Sequence, residues 1–286
     1  MRIEAKDLTY IYGAGLPWER KALDGVSFSV EEGEFVGLIG ETGSGKSTLV
    51  QILNGILRPT AGEVLLDGIN IFKEKALLSK VRFQIGLIFQ FPEQQLFAET
   101  VFEDVAFGPR NMGLGPEEVS RRVEEALLKV GLNPLQFRNR SPFSLSGGEK
   151  RLVAIAGVLA MKPRVLILDE VTAGLDPKGK KEILARIQLL HQKEKATIIM
   201  VSHDMDEISA LAQKIIILKG GRVVLSGTPE EVFSRGEVIE AQGLALPTIP
   251  KLFYSLKQCG WDLPATVLDL KEACRLIKKE LTRASG

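Results

Sequence analysis

The sequence predicts an α/β fold organised around a loop that binds phosphate. Three observations carry that expectation. Residues 40–48 (Gly40, Glu41, Thr42, Gly43, Ser44, Gly45, Lys46, Ser47 and Thr48) fit the pattern G-x-x-x-x-G-K-[ST]. They lie between a short apolar strand, 34–39, and a helical run, 49–55, which is the context the pattern requires. Two further apolar runs, 164–170 and 196–202, end on polar side chains, as buried strands of an α/β sheet do where they meet a ligand. Glycines let consecutive N–H groups curl around an anion, and the helix that follows offers its positive N-terminus. In that geometry Lys46 reaches the β- and γ-phosphates and the Ser47 hydroxyl holds Mg²⁺.

Composition narrows the class. A chain of 286 residues allows one large domain, or one domain with an appendage. Lys+Arg 37 against Asp+Glu 36 leaves a formal charge of +1, which argues against a nucleic-acid partner. No apolar run reaches the length that spans a bilayer, and the N-terminus lacks the apolar stretch of a signal. The expectation is a cytosolic protein whose membrane role comes through a partner. Cys259 and Cys274 could pair, but nothing demands it; the expectation is two reduced, largely buried thiols.

The elements follow in order. Residues 2–8 and 22–30 read as antiparallel strands separated by the polar stretch 13–21. Tyr10 and Tyr12 follow the first strand; a flat ring there offers a stacking face for a base, and equally suits packing in the sheet. Residues 58–68 read as a short hairpin between Pro59 and Gly68, and 81–90 as an apolar strand ending on Gln90. A Gln at the C-terminal end of such a strand can meet Mg²⁺ or a water, although alone it means little. Between 91 and 110, Phe91, Phe97 and Phe102 stand among acids, either over a satellite core or as an apolar docking face.

Residues 116–130 form an amphipathic helix: Pro116 in its first turn, Val119, Val123, Leu127 and Val130 on one stripe, Gly131 as the stop. Ser146, Gly147 and Gly148 precede a helical run over 152–161 and offer a second anion site or an ordinary cap. The strand over 164–170 delivers Asp169 and Glu170 to the ligand end, Asp169 for Mg²⁺ through water and Glu170 for polarising a water. A helix over 178–191 leads to a strand over 196–202 and then to His203, which ends on the same side as Gln90 and Asp169 and so favours a γ-phosphate contact. A hairpin turns at Gly220 and Gly221, and a capping box at Thr228 and Glu231 opens a short helix. Beyond Gly243 two helices are expected, 250–258 and 270–281, the second with a stripe of Leu270, Cys274, Ile277 and Leu281.

Together, Tyr12, the phosphate loop, Gln90, the run Leu145-Ser-Gly-Gly-Glu149, Asp169 with Glu170, the turn ending at Asp176, and His203 resemble the ATP-binding-cassette (ABC) ATPases across residues 1–240. The resemblance implies a P-loop NTPase with a RecA-like core, an N-terminal antiparallel β subdomain, a helical subdomain at about 92–162, and a short C-terminal helical extension, 241–286, as a dimerisation element. It implies ATP and Mg²⁺ as cofactors. Lys46, Gln90, Glu170 and His203 are the expected catalytic groups; Ser47, Gln90 and Asp169 surround the metal. Tyr12 stacks on the base, and Ser146, Gly147, Gly148, Glu149 and Asp176 act in trans on the nucleotide of an opposed subunit. Two positions depart from the pattern: Glu149 replaces Gln, and Val171 replaces a frequent Pro.

The stretch FQFPEQQLFAETVFEDVAFGP after Gln90 resembles more closely the energy-coupling factor (ECF) transporter ATPases, importers of vitamins and transition-metal ions. That resemblance implies a second ABC ATPase as partner, in a homodimer or heterodimer, an integral-membrane coupling subunit docked on Phe91, Phe97 and Phe102, and a separate substrate-binding membrane subunit. It implies a peripheral position on the cytoplasmic face of the membrane. The alternatives are the ATPase of another ABC transport system, exporter or importer, and a non-transport ABC protein. The second suits one cassette with no long heptad run poorly.

Overall fold

Strands and helices are interspersed from residue 35 onward, and the pattern of burial explains which strands lie at the centre. The computed structural model describes residues 1–264 and 266–284. Its strands are β1 (Ile3–Tyr12), β2 (Arg20–Val30), β3 (Phe35–Ile39), β4 (Ala61–Leu66), β5 (Ile69–Asn70), β6 (Ile85–Ile88), β7 (Val165–Asp169), β8 (Thr197–Val201), β9 (Lys214–Lys219) and β10 (Arg222–Gly227). Every residue of β3, β6, β7 and β8 is buried, the mark of parallel strands covered on both faces. They form a six-stranded sheet in the order β10-β9-β3-β8-β7-β6, parallel except for β10 at one edge. A second, antiparallel sheet has the order β2-β1-β4-β5.

One apolar cluster lies between the second sheet and the six-stranded sheet, and includes Leu49, Ile52 and Leu53 from the helix Lys46–Leu53. The other face of the six-stranded sheet packs on the helices Val101–Asn111, Pro116–Lys129, Gly147–Leu159 and Pro177–Glu194. The amphipathic helix expected at 116–130 is present, with Val119, Val123 and Leu127 buried. The capping box at Thr228 opens the helix Pro229–Phe233.

The strand expected over 81–90 is only half strand. The helix Lys75–Gln84 takes its first residues, and the strand is Ile85–Ile88. In 81–84, apolar Val81 and Phe83 alternate with polar Arg82 and Gln84, a pattern that suits one wet face. A strand covered on both faces has none, so this stretch turns helical and the Arg82 guanidinium donates to the Gly55 carbonyl at 2.9 Å. The hairpin expected at 58–68 is instead β4 and β5 about Asp67 and Gly68, and β4 also pairs with β1.

The C-terminal extension differs in detail. A helix at Gly236–Ala241 joins the two expected ones, Thr248–Gln258 and Leu270–Ala284. Residues 265, 285 and 286 of the expected extension lie outside the described residues. Leu246 still packs in the main core, while Phe253, Leu263, Val267 and Ala273 form a small cluster of their own. On the last helix Ala273, with Leu276 and Ile277, faces that cluster, whereas Leu270 and Cys274 of the expected stripe are exposed. A 3.6-residue period leaves two adjacent apolar faces open here, and the contact with Phe253 selects one. Cys259 and Cys274 are both exposed and free rather than buried, because each stands on the outer side of its helix end or stripe.

Phe253 is fully buried at the centre of that small cluster. Phe253→Ala should cost the extension about 3–5 kcal/mol. Limited trypsin digestion should then cut at Lys251 and Lys257 roughly tenfold faster or more, while residues 1–240 stay resistant.

Candidate functional site

Hydrogen bonding between β3 and β8, β8 and β7, and β7 and β6 is parallel throughout, so these strands end on one edge of the sheet. The residues just beyond their ends are the phosphate loop after β3, Gln90 after β6, Glu170 after β7, and Ser202 with His203 after β8. Sequence separation of more than a hundred residues thus becomes adjacency.

The loop needs its glycines for contact reasons. A Cβ on Gly40 would lie 2.3 Å from the Leu218 carbonyl oxygen. Gly45 holds φ +106, and a Cβ there would lie 2.5 Å from the Ala22 carbonyl oxygen. Gly45 is also the N-cap of the helix Lys46–Leu53, with no side chain capping its first turn. The exposed N–H groups of that turn therefore remain for an anion.

Lys46 is buried and donates its ammonium hydrogens to the Gly40 carbonyl at 2.7 Å and the Glu41 carbonyl at 3.0 Å. Burial lowers its pKa, against the pull of the Glu170 and Asp169 carboxylates. The Ser44 hydroxyl is buried in the same loop and has no hydrogen-bond partner among the described residues. Lys46, which lines the cavity, is the loop's charged partner for a phosphate oxygen.

Asp169, the last residue of β7, is pushed above the ordinary carboxylate range by burial, with the Ser47 hydroxyl and Lys46 pulling it back. The hydroxyl of Ser47, the amide oxygen of Gln90 and the carboxylate of Asp169 are hard oxygen donors, a set suited to Mg²⁺. Glu170 has φ +51, a left-handed backbone uncommon for a non-glycine residue, and its N–H donates to the Val201 carbonyl at 3.0 Å. That turn brings the carboxylate back over the strand ends. One oxygen accepts from Gln90 Nε2 at 3.0 Å, and the other stands 3.4 Å from His203 Nδ1. Gln90, Glu170 and His203 therefore form one contiguous array.

A cavity of about 360 Å³ opens beside this array. Thr42, Gly43, Lys46 and Ser47 line one side, and Gln90 and Glu170 the other. Tyr12 stands at its mouth, with its hydroxyl 3.1 Å from Thr48 Oγ1 and its ring edge-on to Tyr10 at 4.8 Å. Arg20 also lines the cavity. The sequence gives one signal for it, a cation in the polar stretch 13–21, at the first residue of β2.

Ser146, Gly147, Gly148, Glu149 and Asp176 do not line this cavity. They start other helices. The Glu149 carboxylate accepts from the Ser146 N–H at 2.8 Å, and the Ser146 hydroxyl accepts from the Glu149 N–H at 3.3 Å, a full capping box. Those bonds hold the Glu149 carboxyl below its usual range. Asp176 caps the helix Pro177–Glu194 by accepting from the Gly179 N–H at 2.9 Å.

A second opening, an apolar groove of about 420 Å³, lies on the helical side. Phe97 and Phe107, 61% and 51% exposed, meet edge-on at 5.1 Å on its rim, and Val153, Val158 and Met161 line it. Of the three phenylalanines expected on a docking face, Phe97 lies here, Phe91 is partly exposed above Arg151, and Phe102 is half-buried beneath the Arg138 guanidinium at 4.9 Å. Phe102 packs on the main core because it follows buried Val101 at the first turn of its helix, one position off the outer face that Phe107 occupies. Buried Arg151 binds Glu93 through two nitrogens, at 2.8 and 2.9 Å, and donates to the carbonyls of Val171 and Ala173. Nothing in its local sequence distinguishes it from a solvated arginine.

A family model described as ABC transporter matches residues 23–173. An energy-coupling factor transporter ATP-binding protein EcfA2 of Caldanaerobacter subterraneus subsp. tengcongensis is 51% identical over 273 residues, 96% of this chain and 95% of that protein. One of the same name from Symbiobacterium thermophilum is 51% identical over 286 residues, 100% of this chain and 99% of that protein. Among solved structures, cbiO1 from Clostridium perfringens, described as part of the ABC transporter complex cbiONQ, superposes with a TM-score of 0.75 at 39% identity, covering 89% of this chain and 98% of that one. The ATP-binding cassette MJ0796, solved as a dimer in a post-hydrolysis state bound to ADP and Pi, gives 0.70 at 32% identity, over 79% and 98%. With the phosphate loop, the Gln90–Glu170–His203 array and these likenesses in agreement, the chain belongs to the ABC transporter family and, within it, to the energy-coupling factor transporter ATP-binding proteins.

Proposed function

We propose that this chain is the ATP-hydrolysing subunit of an ECF-type importer, driving uptake of a vitamin or transition-metal ion through partner membrane subunits. The observation that carries the reading is the convergence of Gln90, Glu170 and His203 at the strand ends, with Gln90 and Glu170 lining one cavity together with Lys46 and Ser47 of the phosphate loop. Lys46 and the N–H groups of the loop bind the β- and γ-phosphates, and Tyr12 offers its ring to the base. Ser47, Gln90 and Asp169 would hold Mg²⁺, which would supply positive charge against the phosphates. Glu170 orients and polarises the attacking water, Gln90 steadies the Glu170 carboxylate, and His203 donates to the γ-phosphate. The chemistry is mostly positioning and charge neutralisation.

One chain supplies half of this arrangement. Ser146, Gly147, Gly148, Glu149 and Asp176 lie outside the cavity, and in our reading they complete the nucleotide site of an opposed ATPase. The helix start at Ser146, rich in N–H groups, suits the γ-phosphate of that partner's nucleotide. The relatives' names speak of a transporter, and one structural neighbour was solved as a dimer. We assign the apolar groove at Phe97 and Phe107 to a membrane coupling subunit, with a second membrane subunit capturing the substrate. Among the described residues no helix is long and apolar enough to cross a membrane, so attachment to the cytoplasmic face falls to those partners.

Three measurements test the reading. Glu170→Gln should keep ATP binding and lose roughly 10²-fold or more in turnover, read by phosphate release from the assembled complex; unchanged turnover would remove Glu170 from the mechanism. Gly45→Ala should weaken binding of a fluorescent ATP analogue roughly tenfold or more, because the added methyl meets the Ala22 backbone. Phe97→Glu or Phe107→Glu should abolish co-purification with the coupling subunit while leaving nucleotide affinity intact, whereas Phe102→Glu should lower the melting temperature.

A further inference from the structure

We propose that Glu207 is a positioning residue for ATP hydrolysis: its buried carboxylate ties the turn carrying Glu170 to the turn carrying His203. The inference rests on the reading that this chain hydrolyses ATP, and gives that site a part no residue above supplies. Glu207 lies in the first turn of the short helix Met205–Leu211 and is 7% exposed. One carboxylate oxygen accepts from two hydroxyls, Thr172 Oγ1 at 2.8 Å and Ser202 Oγ at 3.1 Å. The other oxygen makes no hydrogen bond and stands 3.4 Å from Lys180 Nζ.

The positions of the two hydroxyls give the network its meaning. Thr172 is two residues past Glu170, inside the turn closed by the bond from Ala173 N–H to the Glu170 carbonyl at 3.0 Å. Ser202 immediately precedes His203, and its oxygen also accepts from the Asp204 N–H at 3.0 Å, so its side chain brackets the histidine. Both hydroxyls are 3% exposed and neither lines the nucleotide cavity. They bind a carboxylate behind the site, not a ligand within it.

A buried carboxylate with poor partners is unfavourable, and two apolar side chains would fill this space without that penalty. What the carboxylate provides that apolar packing cannot is direction: two hydroxyls aimed at one oxygen fix two turns against each other. Lys180 balances its charge and also pairs with Asp204 at 3.3 Å, so the residue following His203 shares the same cation. The 3.4 Å separation between Glu170 and His203 is thereby set from behind.

Glu207→Gln removes the charge while keeping the volume. It should lower kcat roughly tenfold or more while KM for Mg-ATP changes by less than about threefold, because the phosphate loop and Lys46 are left in place. Added to His203→Ala it should change the remaining kcat by less than about twofold, since the Glu170–His203 contact it sets is already lost. The chain has two histidines, so the C2 proton resonances of His203 and His191 can be followed separately. In Glu207→Gln the His203 resonance should shift and broaden while that of His191 stays.

A kcat within about twofold of wild type, a full additional loss in the His203→Ala background, or an unmoved His203 resonance would each overturn the proposal. Should Glu207→Gln fold poorly, Thr172→Val and Ser202→Ala each delete one hydroxyl without stranding a charge and carry the same expectations. A wild-type chain that releases no phosphate even in its complex would overturn the functional reading; the histidine spectrum needs no turnover and still decides the positioning claim.

Discussion

Parallel strands that share hydrogen bonds must end together, and this protein concentrates its polar chemistry on that one edge. The strands themselves are apolar on both faces and bring no chemistry of their own. Their value lies in the register: Leu38 pairs with Val201, and Val201 with Asp169, so the residues that follow are delivered within reach of one phosphate. A slip of one residue would invert the side chains and separate Glu170 from His203. The contact that most constrains the edge is the N–H of Glu170 on the Val201 carbonyl, which holds the left-handed turn the carboxylate needs.

The phosphate loop obeys a second constraint, close approach of backbone to backbone. Gly40 sits under the Leu218 carbonyl and Gly45 under that of Ala22, distances at which no side chain fits. The loop is thereby clamped between β2 and β9, and the helix that begins at Lys46 points its free N–H groups into the cavity. Rigidity here comes from neighbours in two different sheets, so nucleotide binding depends on the antiparallel sheet as much as on the parallel one.

Much of this was legible in the sequence because it is local. The phosphate loop, the fully apolar strands ending on Asp169 and before His203, the helix at 116–129 and the capping box at Thr228 are each specified by residues within one turn or strand. What escaped was set by distant partners. Residues 81–84 alternate like a strand, yet the doubly covered sheet has no wet face to offer them, and they became helix. The last helix carries two apolar faces, and only contact with Phe253 decides that Ala273 and Ile277 point inward and Leu270 outward. Arg20, Arg151 and Glu207 are ordinary charged residues in the sequence; Arg151 meets Glu93, Glu207 meets Thr172, and Arg20 shares a cavity with the phosphate loop, none of them near neighbours along the chain. Phe102 and Phe107 are five residues apart in one amphipathic helix, and the difference between core and groove rim is a helical rotation that composition does not reveal.

The groove and the nucleotide site are joined by a single side chain. Arg151 grips Glu93, in the short 3₁₀ turn Pro92–Gln95 between Gln90 and the groove, with both arms of its guanidinium. The same guanidinium donates to the carbonyls of Val171 and Ala173, inside the turn between Glu170 and Asp176. It is 3% exposed, so none of these bonds can be exchanged for water without opening the core. A displacement of the 3₁₀ turn therefore reaches the catalytic turn through four charge-assisted bonds rather than through flexible chain. Glu207 ties that turn, in the opposite direction, to His203. The two buried charges thus link the turn after Gln90, the turn after Glu170 and the turn at His203 through hydrogen bonds that begin beside the groove.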